Sequence, residues 1–543
     1  MDITSVKTEP YQGQVPGTSG LRKKVSVFKQ NHYLENFVQS VFDSLDSFEG
    51  KTLVIGGDGR YYNDHAIQIL LKMAVANQFG RIIVGQNGIL STPATSYVIV
   101  KYGAMGGFIL SASHNPGGPD GDFGIKFDNE HGAPAPQELT DKFAKRTQEI
   151  DHFWWADMPD VDLTRIGEQT FGSTIVQVID SVSDYAAYMQ EIFDFKRIKK
   201  LFANGFRMTF DAMNAVTGPY AKYIFENLLG APQGSVIRQE PLMDFGGLHP
   251  EPNLTYATDL VSRMYSEQAP DFGAASDGDG DRYMILGRSF FVNPSDSLAV
   301  LAGYLDTIPF YRGKMTGVAR SMPTSFAVDD VAKDKNLTVY QTPTGWKFFG
   351  SLLTAGKIAL CGEESFGAGS YHLQEKDGIW AVLCWLSILA ETGKSVEQIV
   401  RELWQKQGRV FALLHNYDIA DKKVADGVMS GLKDKLSTLP GTMIREEKIT
   451  KAFPFVYTDP ITGEVADNQG LCILFESDAR MVFRLSGTNS VGATLKIYIN
   501  QRVKEAKKFD LPATEVLDKW VHIARELSEL KRLTGVEKPS MIT

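Results

Sequence analysis

At 543 residues the chain exceeds what one hydrophobic core can organise, and ordinary domain sizes divide it into about three to five units. Hydrophobic residues at 43% and charged residues at 22%, with no low-complexity tract, exclude a disordered polypeptide. A net charge of −9, with no basic stretch beyond Leu21-Arg22-Lys23-Lys24, gives nucleic-acid binding no electrostatic basis, so anionic ligands must be held by local pockets.

From the N-terminus, MDITSVKTEPYQGQVPGTSG lacks a charged segment followed by an apolar one, and no run reaches the length of a membrane span. A cytoplasmic monomer is the expectation. Three segments then repeat one plan of apolar strand, small-residue turn, helix, strand, loop, helix, strand and polar loop. The first starts at Leu53 in TLVIGGDGR, passes through a helix at Ala66 to Leu71 and strands at Arg81 to Gly85 and Gly107 to Leu110, and ends in SASHNP. The second starts at Met208, with a helix at Pro219 to Leu229, a strand at Ser235 to Gln239, the loop Gly246 to Asn253, a helix at Ala257 to Tyr265 and a strand at Phe272 to Ala275. It ends in SDGDGD. The third starts at Thr316, with helices at Ala327 to Ala332 and Trp346 to Ala355 and strands at Leu337 to Gln341 and Lys357 to Cys361. It ends in GEESFG.

Strands alternating with helices in this way predict three consecutive related α/β domains with mainly parallel mixed sheets. From about Arg409 the pattern changes: FALLHNYDIA, a helix at Ala425 to Leu436, then LCILFES, ARMVFRLSGTNS and ATLKIYIN as short strands and a helical Ala513 to Leu533 predict a smaller C-terminal α+β domain. The expected domains are 1–181, 182–295, 296–408 and 409–543, with no long linker between them. Cys361, Cys384 and Cys472 are odd in number, widely spaced and outside any C-x-x-C motif, which fits buried thiols in a reducing compartment.

The chemistry concentrates in the loops that follow strands, where α/β folds bind ligands. Ser111 to Phe127, SASHNPGGPDGDFGIKF, leaves a strand, and its Pro116, Gly117, Gly118, Pro119 and Gly121 forbid helix or ladder, so an exposed turn presenting Ser113, His114 and Lys126 is expected. In SDGDGDR, Asp277, Asp279 and Asp281 alternate, and an extended loop would project all three carboxylates to one side. Such an oxygen-only set suits Mg²⁺, Mn²⁺ or Ca²⁺, and the flanking glycines allow close wrapping. A calcium EF-hand is excluded, because its sixth position would be Arg282 and its twelfth Arg288. In RLSGTNS, an arginine fork, small hydroxyls and a glycine resemble an anion cradle. No Walker loop exists: five residues separate Gly350 from Gly356, and Ile358 follows Lys357.

Eight motifs in order, GTSGLRKK at 17–24, SASHNPGG at 111–118, GDFGIKF at 121–127, SDGDGDR at 276–282, TPTGWKFFG at 342–350, GEESFG at 362–367, EKDGIWA at 375–381 and RLSGT at 484–488, resemble the phosphoglucomutases of the α-D-phosphohexomutase superfamily. The resemblance spans nearly the whole chain. It implies a four-domain, heart-shaped enzyme around one cleft that interconverts glucose 1-phosphate and glucose 6-phosphate, with Ser113 carrying the phosphoryl group and glucose 1,6-bisphosphate as intermediate. It further implies Mg²⁺ at Asp277, Asp279 and Asp281 beside Ser113; sugar binding by Thr344, Gly345, Glu363 and Ser365; and a phosphate held by Arg484, Ser486 and Thr488. Arg22, His114, Lys126, Arg282 and Lys376 carry over as residues around the transferring group, and the residues alone do not rank His114, Lys126 and Lys376 as proton carriers. Three positions depart from the family pattern: Ser111 for threonine, Asn489 for glycine and Gln374 for a basic residue. The alternatives within the resemblance are a glucose 1,6-bisphosphate synthase, a phosphomannomutase-type specificity and a parafusin-like phosphoprotein scaffold.

Overall fold

The computed structural model describes residues 1–17, 19–486 and 492–543. Its chain groups into two compact units, Met1–Val318 with Gly345–Glu397, and Ala319–Thr344 with Gln398–Thr543.

In the first unit, a seven-stranded sheet runs in the order Leu21–Lys24, Asp122–Asn129, Gly106–Leu110, Thr52–Gly57, Arg81–Gly85, Thr174–Ile179, Gly167–Phe171. Its four central strands, from Gly106–Leu110 to Thr174–Ile179, pair in parallel, and the outer pairings are antiparallel. Leu53 to Ile55, Ile82 to Val84 and Phe108 to Leu110 are wholly buried, as continuous apolar runs are when both faces of a parallel sheet are covered. The crossovers are the helices Asn63–Ala76 and Thr92–Lys101; Ser91 caps the second by accepting from the Ala94 N–H at 3.2 Å, with Pro93 in its first turn.

A second, five-stranded sheet has the order Val236–Ile237, Met208–Asp211, Phe272–Ser276, Tyr283–Gly287, Phe290–Val292. The strand predicted at Ser235 to Gln239 is only Val236–Ile237, because Arg238 sits at φ +48° with its Nε donating to buried Asp211 at 2.8 Å, and a ladder cannot continue through that conformation. The helix predicted at Pro219 to Leu229 is an α turn, Thr217–Ala221, followed by a π segment, Lys222–Leu228. Buried Glu226 in that segment accepts from the N–H groups of Gly234 and Val236, tying helix to strand. Further along, Leu360–Glu363 forms an antiparallel hairpin with Gly367–Ser370. This strand begins three residues later than predicted, since the Lys357 N–H closes the preceding helix on Leu352 O at 2.9 Å.

In the second unit, seven antiparallel strands run Met443–Ile444, Glu447–Pro454, Leu471–Phe475, Ala479–Ser486, Ala493–Val503, Arg409–Ile419, Met541–Ile542. Two of them are eleven residues long, the second predicted as a short strand at ATLKIYIN, and they pair from Arg409↔Val503 to Ile419↔Ala493. Helices Lys422–Lys435 and Asp518–Leu527 cover the sheet, closing a core around Tyr417, Leu432, Phe483 and Trp520. The closing helix predicted at Ala513 to Leu533 is three pieces, broken last at Glu529, which lies at φ +49°. Cys361, Cys384 and Cys472 are buried free thiols whose pKa burial pushes up. Among the described residues no single helix is long and apolar enough to cross a membrane.

Candidate active site

Strands Thr52–Gly57, Gly106–Leu110 and Phe272–Ser276 of the first unit end in loops that meet at Ser113. Its Oγ donates to Asp277 Oδ2 at 2.7 Å. The serine is 1% exposed, against the expectation of an exposed turn. Gly278 explains the difference: a Cβ there would stand 2.3 Å from the Ser113 carbonyl oxygen, so only glycine lets the aspartate loop close over the serine loop. Thr92 fastens the closure, its hydroxyl donating to Asp279 Oδ2 at 2.7 Å.

The three aspartates converge through a turn rather than by alternating along an extended loop. Asp277 Oδ1 accepts from the N–H groups of Gly280 (3.1 Å) and Arg282 (3.0 Å), and Gly280 adopts φ +84°. One oxygen from each carboxylate lies within 4.8 Å of the others. Asp279 Oδ1 and Asp281 Oδ1 are buried without a hydrogen-bond partner among the described residues. Burial, then the charges of Asp281 and Asp279, push the Asp277 carboxyl well above the usual range. Burial also acts against the Asp279 anion, but Lys126, the Thr92 hydroxyl, Arg22 and Lys376 outweigh it and hold that carboxyl low. Crowded carboxylates with spare acceptors and oxygen as the only donor fit a hard divalent cation.

Cationic groups surround this centre. Burial lowers the Arg22 pKa, although Asp279 supports its charge. Burial likewise acts against the Arg282 charge, but Asp281, Asp277 and Glu251 raise its pKa, and its Nε lies 4.0 Å from Asp277 Oδ2. Lys126 donates to Glu375 Oε1 at 2.6 Å; burial opposes its charge, yet Glu375 and Asp128 raise its pKa and keep it protonated. Lys376 Nζ lies 3.1 Å from Asp281 Oδ2. His114 Nδ1 is 3.4 Å from Ser113 Oγ, and burial, then Arg282 and Arg22, depress its pKa well below the usual value, leaving a neutral imidazole.

Arg22, Lys126, Asp281 and Lys376 face one cavity of about 290 Å³, which Trp346, Lys347 and Glu375 also line. Glu363, buried at the end of its strand, accepts from the Gly345 N–H at 2.9 Å; burial raises its carboxyl pKa. Ser365 is half-buried in the hairpin loop. In the second unit, Thr344 has a buried Oγ1 without a hydrogen-bond partner among the described residues. Arg484 and Ser486 occupy the end of Ala479–Ser486, half-buried, opposite Lys496 and Thr494 of the neighbouring strand. Thr488 and Asn489 lie outside the described residues.

Sequence reasoning missed Asp58, Arg60, Glu375 and Asp128. Asp58 and Arg60 belong to GGDGR at the carboxyl end of Thr52–Gly57, the same topological position that singled out the other loops, so that position was their available signal. Glu375 stands beside Lys376 in EKDG. Asp128 sits two residues beyond Lys126 on the strand Asp122–Asn129, buried with both carboxylate oxygens unpartnered among the described residues, and offers no sequence signal.

A buried serine hydroxyl set on a metal-competent carboxylate cluster and ringed by cations defines an enzyme that transfers phosphoryl groups. The chain matches family models for phosphoglucomutase/phosphomannomutase α/β/α domains I, II and III over residues 13–153, 183–289 and 293–407, and for the phosphoglucomutase-1 C-terminal domain over 409–540. It belongs to the phosphoglucomutase/phosphomannomutase family. A phosphoglucomutase of Rhizobium radiobacter is 52% identical, with all of both chains covered. A cytoplasmic phosphoglucomutase of Pisum sativum is 48% identical over all of this chain and 99% of that one. The crystal structure of the exocytosis-sensitive phosphoprotein parafusin, a phosphoglucomutase from Paramecium, in its open form, superimposes with a TM-score of 0.92 at 45% identity, covering 100% of this chain and 99% of that chain.

Proposed function

We propose that the chain is a phosphoglucomutase, interconverting α-D-glucose 1-phosphate and glucose 6-phosphate, with Ser113 as phosphoryl carrier and glucose 1,6-bisphosphate as intermediate. The observation that carries the reading is the 2.7 Å contact of Ser113 Oγ with Asp277 inside a cluster of three aspartates. Full-length relatives of about half identity named phosphoglucomutase support it. A bound Mg²⁺, held by Asp277, Asp279 and Asp281 beside Ser113, supplies Lewis-acid neutralisation of phosphoryl oxygens. In the transfer, the bond from phosphorus to Ser113 Oγ breaks as one forms to the free hydroxyl of the bound sugar monophosphate. The bisphosphate turns, and its other phosphate returns to Ser113. The proton that the sugar hydroxyl loses ends on Ser113 Oγ as that oxygen leaves phosphorus, and returns by the reverse path when Ser113 is rephosphorylated; His114, neutral and 3.4 Å from Ser113 Oγ, is the relay at that atom. Arg22, Lys126, Arg282 and Lys376 offset the charge of the transferring group. Thr344, Gly345, Glu363 and Ser365 bind sugar hydroxyls, and Arg484, Ser486 and Thr488 hold the phosphate that is not reacting. The four segments bounded near 181, 295 and 408 act as serine, metal, sugar and phosphate domains of a cytoplasmic monomer; the pea relative carries a cytoplasmic name, while relatives of similar identity carry a chloroplastic one.

The test is turnover of glucose 1-phosphate with Mg²⁺ and trace glucose 1,6-bisphosphate, run against mannose and glucosamine phosphates. No glucose 1-phosphate turnover would overturn the reading. Ser113→Ala abolishes phosphate incorporation while the fold persists. The likeness to parafusin supports a second reading, an added phosphoprotein role. Phosphate taken up by Ser113→Ala in a cell extract would point to it.

A further inference from the structure

Asp58 and Arg60, 1% and 0% exposed, take no part in the transfer just described. A buried ion pair persists only where its remaining donors and acceptors are satisfied, so the partners of these two residues show what they hold. Arg60 Nε donates to Asp58 Oδ2 at 2.8 Å. Its Nη2 donates to the Ser113 carbonyl at 2.6 Å, and its Nη1 donates to the Asp122 carbonyl at 2.9 Å and the Asn115 carbonyl at 3.4 Å. One planar guanidinium therefore gathers both ends of the loop that carries the nucleophile, with the Phe245 ring 5.2 Å away.

Asp58 completes a circuit. Its Oδ2 accepts from Ser111 Oγ at 2.6 Å, and Ser111 Oγ accepts from the Ser113 N–H at 2.7 Å. The carbonyl of Ser113 is thus pinned directly by Arg60, and its N–H is pinned by the same ion pair through Ser111. Ser113 needs both pins, because it stands at φ +50°, in the left-handed region that serine seldom occupies unaided.

We infer that Arg60, acting with Asp58 and Ser111, is the positioning device that aims Ser113 Oγ at Asp277. The inference rests on the phosphoglucomutase reading. Every pin grips the backbone of Ser113 and none grips its hydroxyl, so the device holds the residue alike whether or not Oγ bears a phosphoryl group. The serine stays fixed through both half-reactions and the sugar bisphosphate does the turning.

Steady-state kinetics on the full chain with Mg²⁺ test this, with kcat normalised to the folded fraction from thermal unfolding of the same samples. Ser111→Ala is expected to lower kcat by about 100-fold, the scale set by misplacing a reacting group by ~1 Å, with KM for glucose 1-phosphate changed by less than about 2-fold. Ser111→Thr, which keeps the hydroxyl, restores kcat to within about 3-fold of the parent, since both hydrogen bonds can re-form. Arg60→Lys keeps the charge, loses the fork and lowers kcat like Ser111→Ala, and the double variant is no slower than the worse single one, because residues acting as one unit are not additive. Normal kcat in Ser111→Ala, failure of Ser111→Thr to restore it, or losses that multiply in the double variant would each overturn the inference. An inactive parent would sink the mutase reading instead.

Discussion

The serine loop of the first unit and the Arg484–Ser486 strand end of the second present opposite designs. Ser113 is buried and each of its polar groups is committed: the hydroxyl to Asp277, the carbonyl to Arg60, the N–H to Ser111. Arg484 and Ser486 are half-buried at the end of an antiparallel ladder. A group that makes and breaks a bond must be aligned beforehand, because alignment is where phosphoryl-transfer enzymes gain most of their rate. The cradle proposed at Arg484 and Ser486 would have to release either end of a sugar bisphosphate, so a half-buried hydroxyl and fork suit it better than a closed network.

The largest expected effect breaks the committed side outright. Removing divalent metal with a chelator is expected to lower turnover by about 1,000-fold, corresponding to several kcal/mol of lost charge stabilisation, and Mg²⁺ should restore it. Differential scanning calorimetry should show the melting temperature rising again with Mg²⁺; an unchanged melting temperature would count against a cation at the crowded aspartates.

Gly278→Ala comes next, pressing a Cβ to 2.3 Å from the Ser113 carbonyl oxygen. A kcat about 100-fold lower and a stability loss of about 1–3 kcal/mol are expected from the displaced loop, measured by turnover and by urea unfolding. Arg484→Gln, on the open side, should raise KM by about 10-fold to 100-fold through a lost charged hydrogen bond of ~1.5–3 kcal/mol, with kcat much less affected. If Arg484→Gln acted on kcat alone, the proposed contrast between the two regions would fail.

The smallest effect concerns pH. The folded-state pKa of His114 is depressed by burial and nearby cations, so as pH falls the unfolded chain takes up this proton first. The contribution is present above the unfolded value near 6.5 and is lost as pH falls below it. Stability of the parent relative to His114→Gln, both saturated with Mg²⁺, should therefore decline on acidification from about pH 7 to pH 5, by at most ~1.4 kcal/mol per pH unit for one proton. Parallel curves for the two proteins in urea titrations would contradict a depressed histidine.

By itself the sequence determined the succession of strands and helices within each repeat, the polar loops that follow its strands, and the residue types at Ser113, Asp277, Asp279, Asp281 and Glu363. These are local facts: apolar periodicity writes strands and helices, and glycine or proline beside functional side chains writes loops. Only the tertiary structure decided that Ser113 is buried rather than exposed, since that follows from Gly278 letting a loop 164 positions away close over it. It also decided that the aspartates converge by a turn at Gly280, that Arg238 cuts a strand short, and that Arg60 directly and Asp58 through Ser111 hold the backbone of Ser113. Such contacts are set by which chain segments pack together, and no spacing along the sequence encodes them.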